Sequence, residues 1–131
     1  MSLDEKHISI AKKLRRARQT IEEVHNHLQF RYFNTAINRI YYASFYAAQA
    51  LLLSIDLVPK SHKGVRTLFL QHFVKEKKIP PELEKFYTRI FDERQFADYM
   101  DTEIFDEEAI LYLFEQAKDF IRHIEIFLQE K

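Results

Sequence analysis

The chain has 131 residues, 47% hydrophobic and 31% charged, which suits one globular domain spanning 1–131. A single Gly, three Pro and no Trp leave little from which to build tight hairpins, a glycine-rich phosphate loop or a many-turned β-sandwich, and the absence of Cys excludes disulfides, thiolate nucleophiles, cysteine zinc sites and iron–sulfur clusters. The zero net charge conceals a division: residues 1–91 hold 16 basic and 8 acidic groups, and residues 92–131 hold 4 and 12. Such a division suits a basic surface for nucleic acid, a head-to-tail self-association, or the pairing of oppositely charged helices within one molecule.

From Leu3 to about Gln29 the apolar residues Ile10, Leu14, Ala17, Ile21, Val24 and Leu28 recur at steps of three and four, the stripe of a first helix. Its other faces carry Lys12, Lys13, Arg15, Arg16 and Arg18, which read as a solvated face or as phosphate contacts; the helix alone is no evidence of RNA binding. A second helix is predicted from about Arg31 to Ile55. Its middle, IYYASFYAAQALLL, is apolar nearly all round, so it should be the central helix of a bundle with its outer face buried by a second copy of the chain. Ile40–Leu53, the most apolar stretch, falls short of the roughly 20 residues a bilayer span needs, and the N-terminus shows no basic-then-apolar signal pattern, so no membrane association and a cytoplasmic location are expected.

Pro59 and the single Gly, Gly64, punctuate a loop before a short third helix, read from about Lys63 to Lys77. Pro81 suits the first turn of a fourth helix, where a missing N–H costs little. Its stripe contains Leu83, Phe86, Tyr87, Ile90, Phe91, Arg94, Ala97 and Asp98, so a cation and a carboxylate interrupt an apolar face. A polar connection from Asp101 to Asp106 leads into a fifth helix that runs to about Gln129 along Ile110, Leu113, Phe114, Ala117, Phe120, Ile121, Ile124, Phe127 and Leu128. The expected fold is therefore all-α, an antiparallel bundle of about five helices with the third short and no β-sheet.

No zincin pair, P-loop, dinucleotide fingerprint or calcium loop is present, and His25 and His27 stand two apart, on different sides of a helix; neither a metal site nor a cofactor is expected. Arg94 and Asp98 lie four apart, where an aspartate can hold a guanidinium, and Tyr99 follows directly. Arg39, Tyr42 and Tyr46 share one face of the second helix. If the two faces meet, the residues form either a phosphate-binding pocket or an ion pair that fixes helix register.

The run NTAINRIYYASFYAAQALLLSIDLVPKSHKGVRTLF, with FDERQFADYM beyond it, resembles the HEPN (higher eukaryotes and prokaryotes nucleotide-binding) superfamily, in particular its small stand-alone prokaryotic branch, over about residues 8–128. The pieces that carry the likeness are Arg39 before Tyr41-Tyr42-Ala43, the Lys60-Ser61-His62-Lys63-Gly64 loop, and Arg94 with Ala97-Asp98-Tyr99. The resemblance implies a helical bundle that pairs into homodimers, in many members an RNA-cutting toxin, and often a minimal nucleotidyltransferase as partner. Catalytic members carry Arg, then four to six residues, then His, and two copies compose one ribonuclease site. Here the positions counted from Arg94 hold Tyr99, Met100 and Asp101, and no His occurs between His72 and His123. A metal-independent ribonuclease needs a base for the 2′-hydroxyl proton and an acid for the leaving 5′-oxygen, roles that suit a His. The expectation is a dimeric module that binds a nucleotidyltransferase, a nucleotide or RNA with little or no catalysis, through Arg39, Tyr42, Tyr46, His62 and Lys63. The alternative is an endoribonuclease using Arg94 with Asp98, Tyr99 or His62. A His beside a helix start is expected to be solvated.

Overall fold

The computed structural model describes residues 1–99 and 106–129, with the side chain of Tyr99 excepted. Among them the regular structure is all helical: α1 spans Leu3–Gln29, α2 Phe33–Leu53, α3 His62–Phe69, α4 Pro81–Tyr99 and α5 Glu107–Gln129. Ser2 caps α1 by accepting from the Glu5 N–H at 3.1 Å, and Ser61 caps α3 by accepting from the Gly64 N–H at 2.9 Å. The segment read as one helix from Lys63 to Lys77 is shorter and is not uniform. α3 begins one residue earlier, at His62, and gives way to a wide π turn over Leu70–Val74 that brings Phe73 into the core beside Phe69.

Helices α1, α2 and the α3 segment end alike. Tyr32 N–H reaches His27 O while Arg31 N–H reaches Leu28 O, Leu57 and Asp56 repeat the pattern on Leu52 and Leu53, and Lys78 and Lys77 repeat it on Phe73 and Val74. This is the Schellman closure, which puts one residue in the left-handed region. Arg31 (φ 60°), Asp56 (φ 66°) and Lys77 (φ 58°) occupy it, none of them glycine.

As expected, α2 is the central helix. It packs against α1, α3, α4 and α5, and fourteen of its 21 residues are buried. Its own chain covers more of it than the sequence suggests: Asn38, Arg39, Tyr42, Tyr46 and Gln49 form a half-buried edge, and no large hydrophobic residue on the helix is exposed. The core runs from Ala17, Ile21 and Val24 of α1 through Ile37, Ile40 and Leu51 of α2 to Phe69, Tyr87, Ile90, Phe120 and Ile124. The division of charge is partly resolved within the molecule, because Arg18 of α1 pairs with Glu125 of α5 and Arg31 with Glu107. No helix among the described residues is long and apolar enough to cross a membrane.

Candidate functional site

Helix α4 crosses the N-terminal half of α2 and lays Arg94 against it. The Arg94 Cζ lies 5.2 Å from the Tyr41 ring centre and 5.7 Å from that of Tyr42, and its Nε is 3.1 Å from Asp98 Oδ2. The ion pair inferred from the four-residue spacing is thus present, but it is lopsided: the Arg94 side chain is 20% exposed and that of Asp98 46%. The buried Nε–H is aligned on no acceptor, so Asp98 balances the charge of Arg94 without using its donors fully. Arg39 also approaches Tyr42, its Cζ 5.3 Å from the ring centre and its Nη2 donating to Asn38 Oδ1 at 2.8 Å. The faces bearing Arg39, Tyr42 and Arg94 do meet.

His62 joins them. As the first residue of α3 it is half-buried rather than solvated: its ring stacks on Phe45 with centres 4.5 Å apart, edges onto Tyr42, and lies 2.7 Å through Nδ1 from the Tyr41 hydroxyl. The Ser61 cap starts α3 at this point, and the imidazole contacts Tyr41, Tyr42 and Phe45 of α2. Burial, reinforced by the Arg94 charge, lowers the His62 pKa below its ordinary value. Burial pushes the Tyr41 phenol up to about 12 against the opposing pull of Arg94. At neutral pH the phenol is therefore protonated and the imidazole predominantly neutral. In one tautomer Tyr41 donates to Nδ1; in the other Nδ1–H donates to the phenol oxygen, and Nε2 is left as a base.

The remaining residues singled out in the sequence divide. Tyr46 continues the edge of α2, 6.1 Å from Tyr42 between ring centres, whereas Lys63 is exposed and makes no ion pair among the described residues. Tyr99 ends α4, and its side chain, with Met100 and Asp101, lies outside the described residues. Sequence reasoning missed Tyr41 as a site residue. Its signal was a phenol on the face of α2 that must be buried, since a buried hydroxyl requires a partner and His62 is the one it finds.

The profile of the HEPN domain family matches residues 10–129. A UPF0332 protein of Thermotoga maritima is 41% identical over 114 residues, covering 87% of this chain and 81% of the relative. Two proteins of Methanocaldococcus jannaschii, each bearing the name "Putative toxin", are 30% identical over 122 residues and 37% identical over 98. They cover 93% and 75% of this chain, and 83% and 72% of their own lengths.

Proposed function

The chain belongs to the HEPN domain family, and on that premise we propose that it is a dimeric module that binds RNA phosphate at Arg94 and Arg39, with slow cleavage at most. The observation that carries this reading is Arg94 itself, a largely buried guanidinium that breaks an apolar stripe and has an Nε–H aligned on no acceptor beside a neutral imidazole. Placing a charge there costs desolvation that a single half-exposed carboxylate offsets poorly, and a phosphate oxygen offsets it well. Tyr42 and Tyr46 supply ring surface next to the cations.

A second reading, the endoribonuclease, is favoured by the position of His62. With Nδ1–H held by Tyr41, Nε2 takes the proton of the 2′-hydroxyl, the 2′-oxygen attacks phosphorus, and the P–O5′ bond breaks to leave a 2′,3′-cyclic phosphate. Arg94 stabilises the charge that develops on the non-bridging oxygens. The departing 5′-oxygen needs a proton from a second acid, and a homodimer with the Arg94 ends of α4 in contact supplies it as the imidazolium of the second copy. A toxin role accords with the names of the two archaeal relatives. A minimal nucleotidyltransferase is the partner that the family resemblance suggests, and its reading frame beside this one would support the assignment.

Purified protein incubated with structured and unstructured labelled RNA tests both. Binding that Arg94→Ala weakens, with no cleavage, supports the module. Metal-independent cleavage lost in both Arg94→Ala and His62→Ala supports the nuclease, and RNA binding indifferent to Arg94→Ala defeats the site.

A further inference from the structure

The edge of α2 does not end at Tyr42. One turn further on, α1 lays two cations over Tyr46: Arg16 Cζ is 4.5 Å from the ring centre and Lys13 Nζ 6.0 Å, and Lys13 donates to Gln49 Oε1 at 3.0 Å. Arg18 and Lys6 of α1 are compensated by Glu125 and Asp56, whereas Lys12, Lys13, Arg15 and Arg16 have no carboxylate partner among the described residues; of these four, Lys13 and Arg16 are the pair that converge on one ring. Lys13 is half-buried, and burial together with the Arg16 charge lowers its pKa. Like charges three residues apart on a helix repel. A merely solvated face would let two such side chains swing apart, whereas these are gathered onto one ring and one amide.

Each of the two rings therefore carries two cations, Arg39 and Arg94 on Tyr42, Arg16 and Lys13 on Tyr46. Tyr42 and Tyr46 are four residues apart, roughly 6 Å of helix rise. We infer that Lys13, Arg16 and Tyr46 form a second phosphate subsite, so that the ligand is a single strand of RNA with at least two phosphates on this edge rather than a mononucleotide. The inference rests on the reading of Arg94 given above and extends it. Aromatic rings between cations suit unpaired bases between phosphates, which an acidic peptide does not supply and a duplex keeps stacked away.

Fluorescence anisotropy with a labelled, unstructured octaribonucleotide decides the matter, using the full chain, Arg94→Ala, Arg16→Gln and the double variant Lys13→Gln/Arg16→Gln. Arg16 is exposed, so its single variant keeps the fold and guards against a misfolded double. The double variant should bind the octamer about tenfold more weakly at moderate salt, and the slope of log K against log salt should shrink by about 0.7, the value for one lost phosphate contact on a single strand. An octamer affinity and salt slope equal to those of the unaltered chain would overturn the second subsite, as would displacement of RNA by polyglutamate as effectively as by unlabelled RNA. If the double variant weakens binding and Arg94→Ala does not, the subsite stands and the Arg94 reading falls; the converse removes the subsite alone. No binding of the octamer by the unaltered protein removes both.

Discussion

Arg94→Ala separates a site from a strut. In the folded chain the guanidinium lies over two tyrosine rings, at 5.2 and 5.7 Å, and beside a half-exposed carboxylate. Two partly exposed cation–π contacts contribute about 1–2 kcal/mol together, and a half-exposed ion pair about 0.2–1 kcal/mol. Against this stands the desolvation of a side chain only 20% exposed with an unaligned Nε–H. The net loss on truncation is therefore about 1 kcal/mol, small beside the roughly 5–15 kcal/mol that holds a domain of this kind. For a chain of this length it corresponds to a fall in Tm of about 3–6 °C. A charge-assisted bond to phosphate contributes about 1.5–3 kcal/mol, so RNA affinity should fall by roughly 10- to 150-fold. Arg94→Lys, which keeps the charge but not the planar fork, should lie between. Differential scanning calorimetry and anisotropy on the same preparations measure both quantities. A Tm lowered by more than about 10 °C with RNA affinity unchanged would mean that Arg94 is a structural strut, and the reasoning from its lone donor would be refuted.

His62 should titrate below about 6.5 by imidazole NMR, and Arg94→Ala should raise its pKa without restoring the ordinary value, because burial is the larger cause. The sign for stability follows: between the lowered folded pKa and the unfolded one the unfolded chain binds more protons, so the contribution is fully present above the unfolded value and is lost as pH falls through the window. Tyr41→Phe keeps the ring contacts and deletes the 2.7 Å bond to His62, costing about 0.5–1.5 kcal/mol in denaturant titrations; no change in either stability or the His62 resonances would show the bond to be idle. Sedimentation at micromolar concentration should give a species of about twice 15.9 kDa, and a monomer throughout would withdraw the two-copy site.

Much of the bundle was legible because helical stripes are local. The bounds of α1, the N-terminus of α4 at Pro81 and the central place of α2 followed from periodicity and proline chemistry. The π turn at Leu70–Val74 was not legible, since Phe69 and Phe73 keep an unbroken apolar spacing whether or not a residue bulges between them. The proximity of Arg94 to the Arg39–Tyr42 face could be posed from spacing but needed the crossing of two helices to become a fact. His62 was misjudged for the same reason: a polar residue at a helix start is solvated unless something packs on it, and Phe45, seventeen residues earlier, cannot be seen to do so from the sequence. The basic face of α1 looked uniform, yet its members differ by which carboxylates the fold delivers to them.

The helix closures leave an unclaimed reserve. A chain with a single glycine places Arg31, Asp56 and Lys77 in a backbone region that costs an L-residue about 1–2 kcal/mol. Arg31 and Asp56 recover part of this through Glu107 and Lys6, whereas Lys77 makes no ion pair among the described residues. Asparagine tolerates that geometry without the extra unfolded-state freedom of glycine, so Lys77→Asn should raise the thermal midpoint by a few degrees, and a midpoint unchanged or lowered would show the joint to be unstrained. Such a gain would lie far from Arg94 and add stability on which weakened variants of the binding edge could be made and still fold.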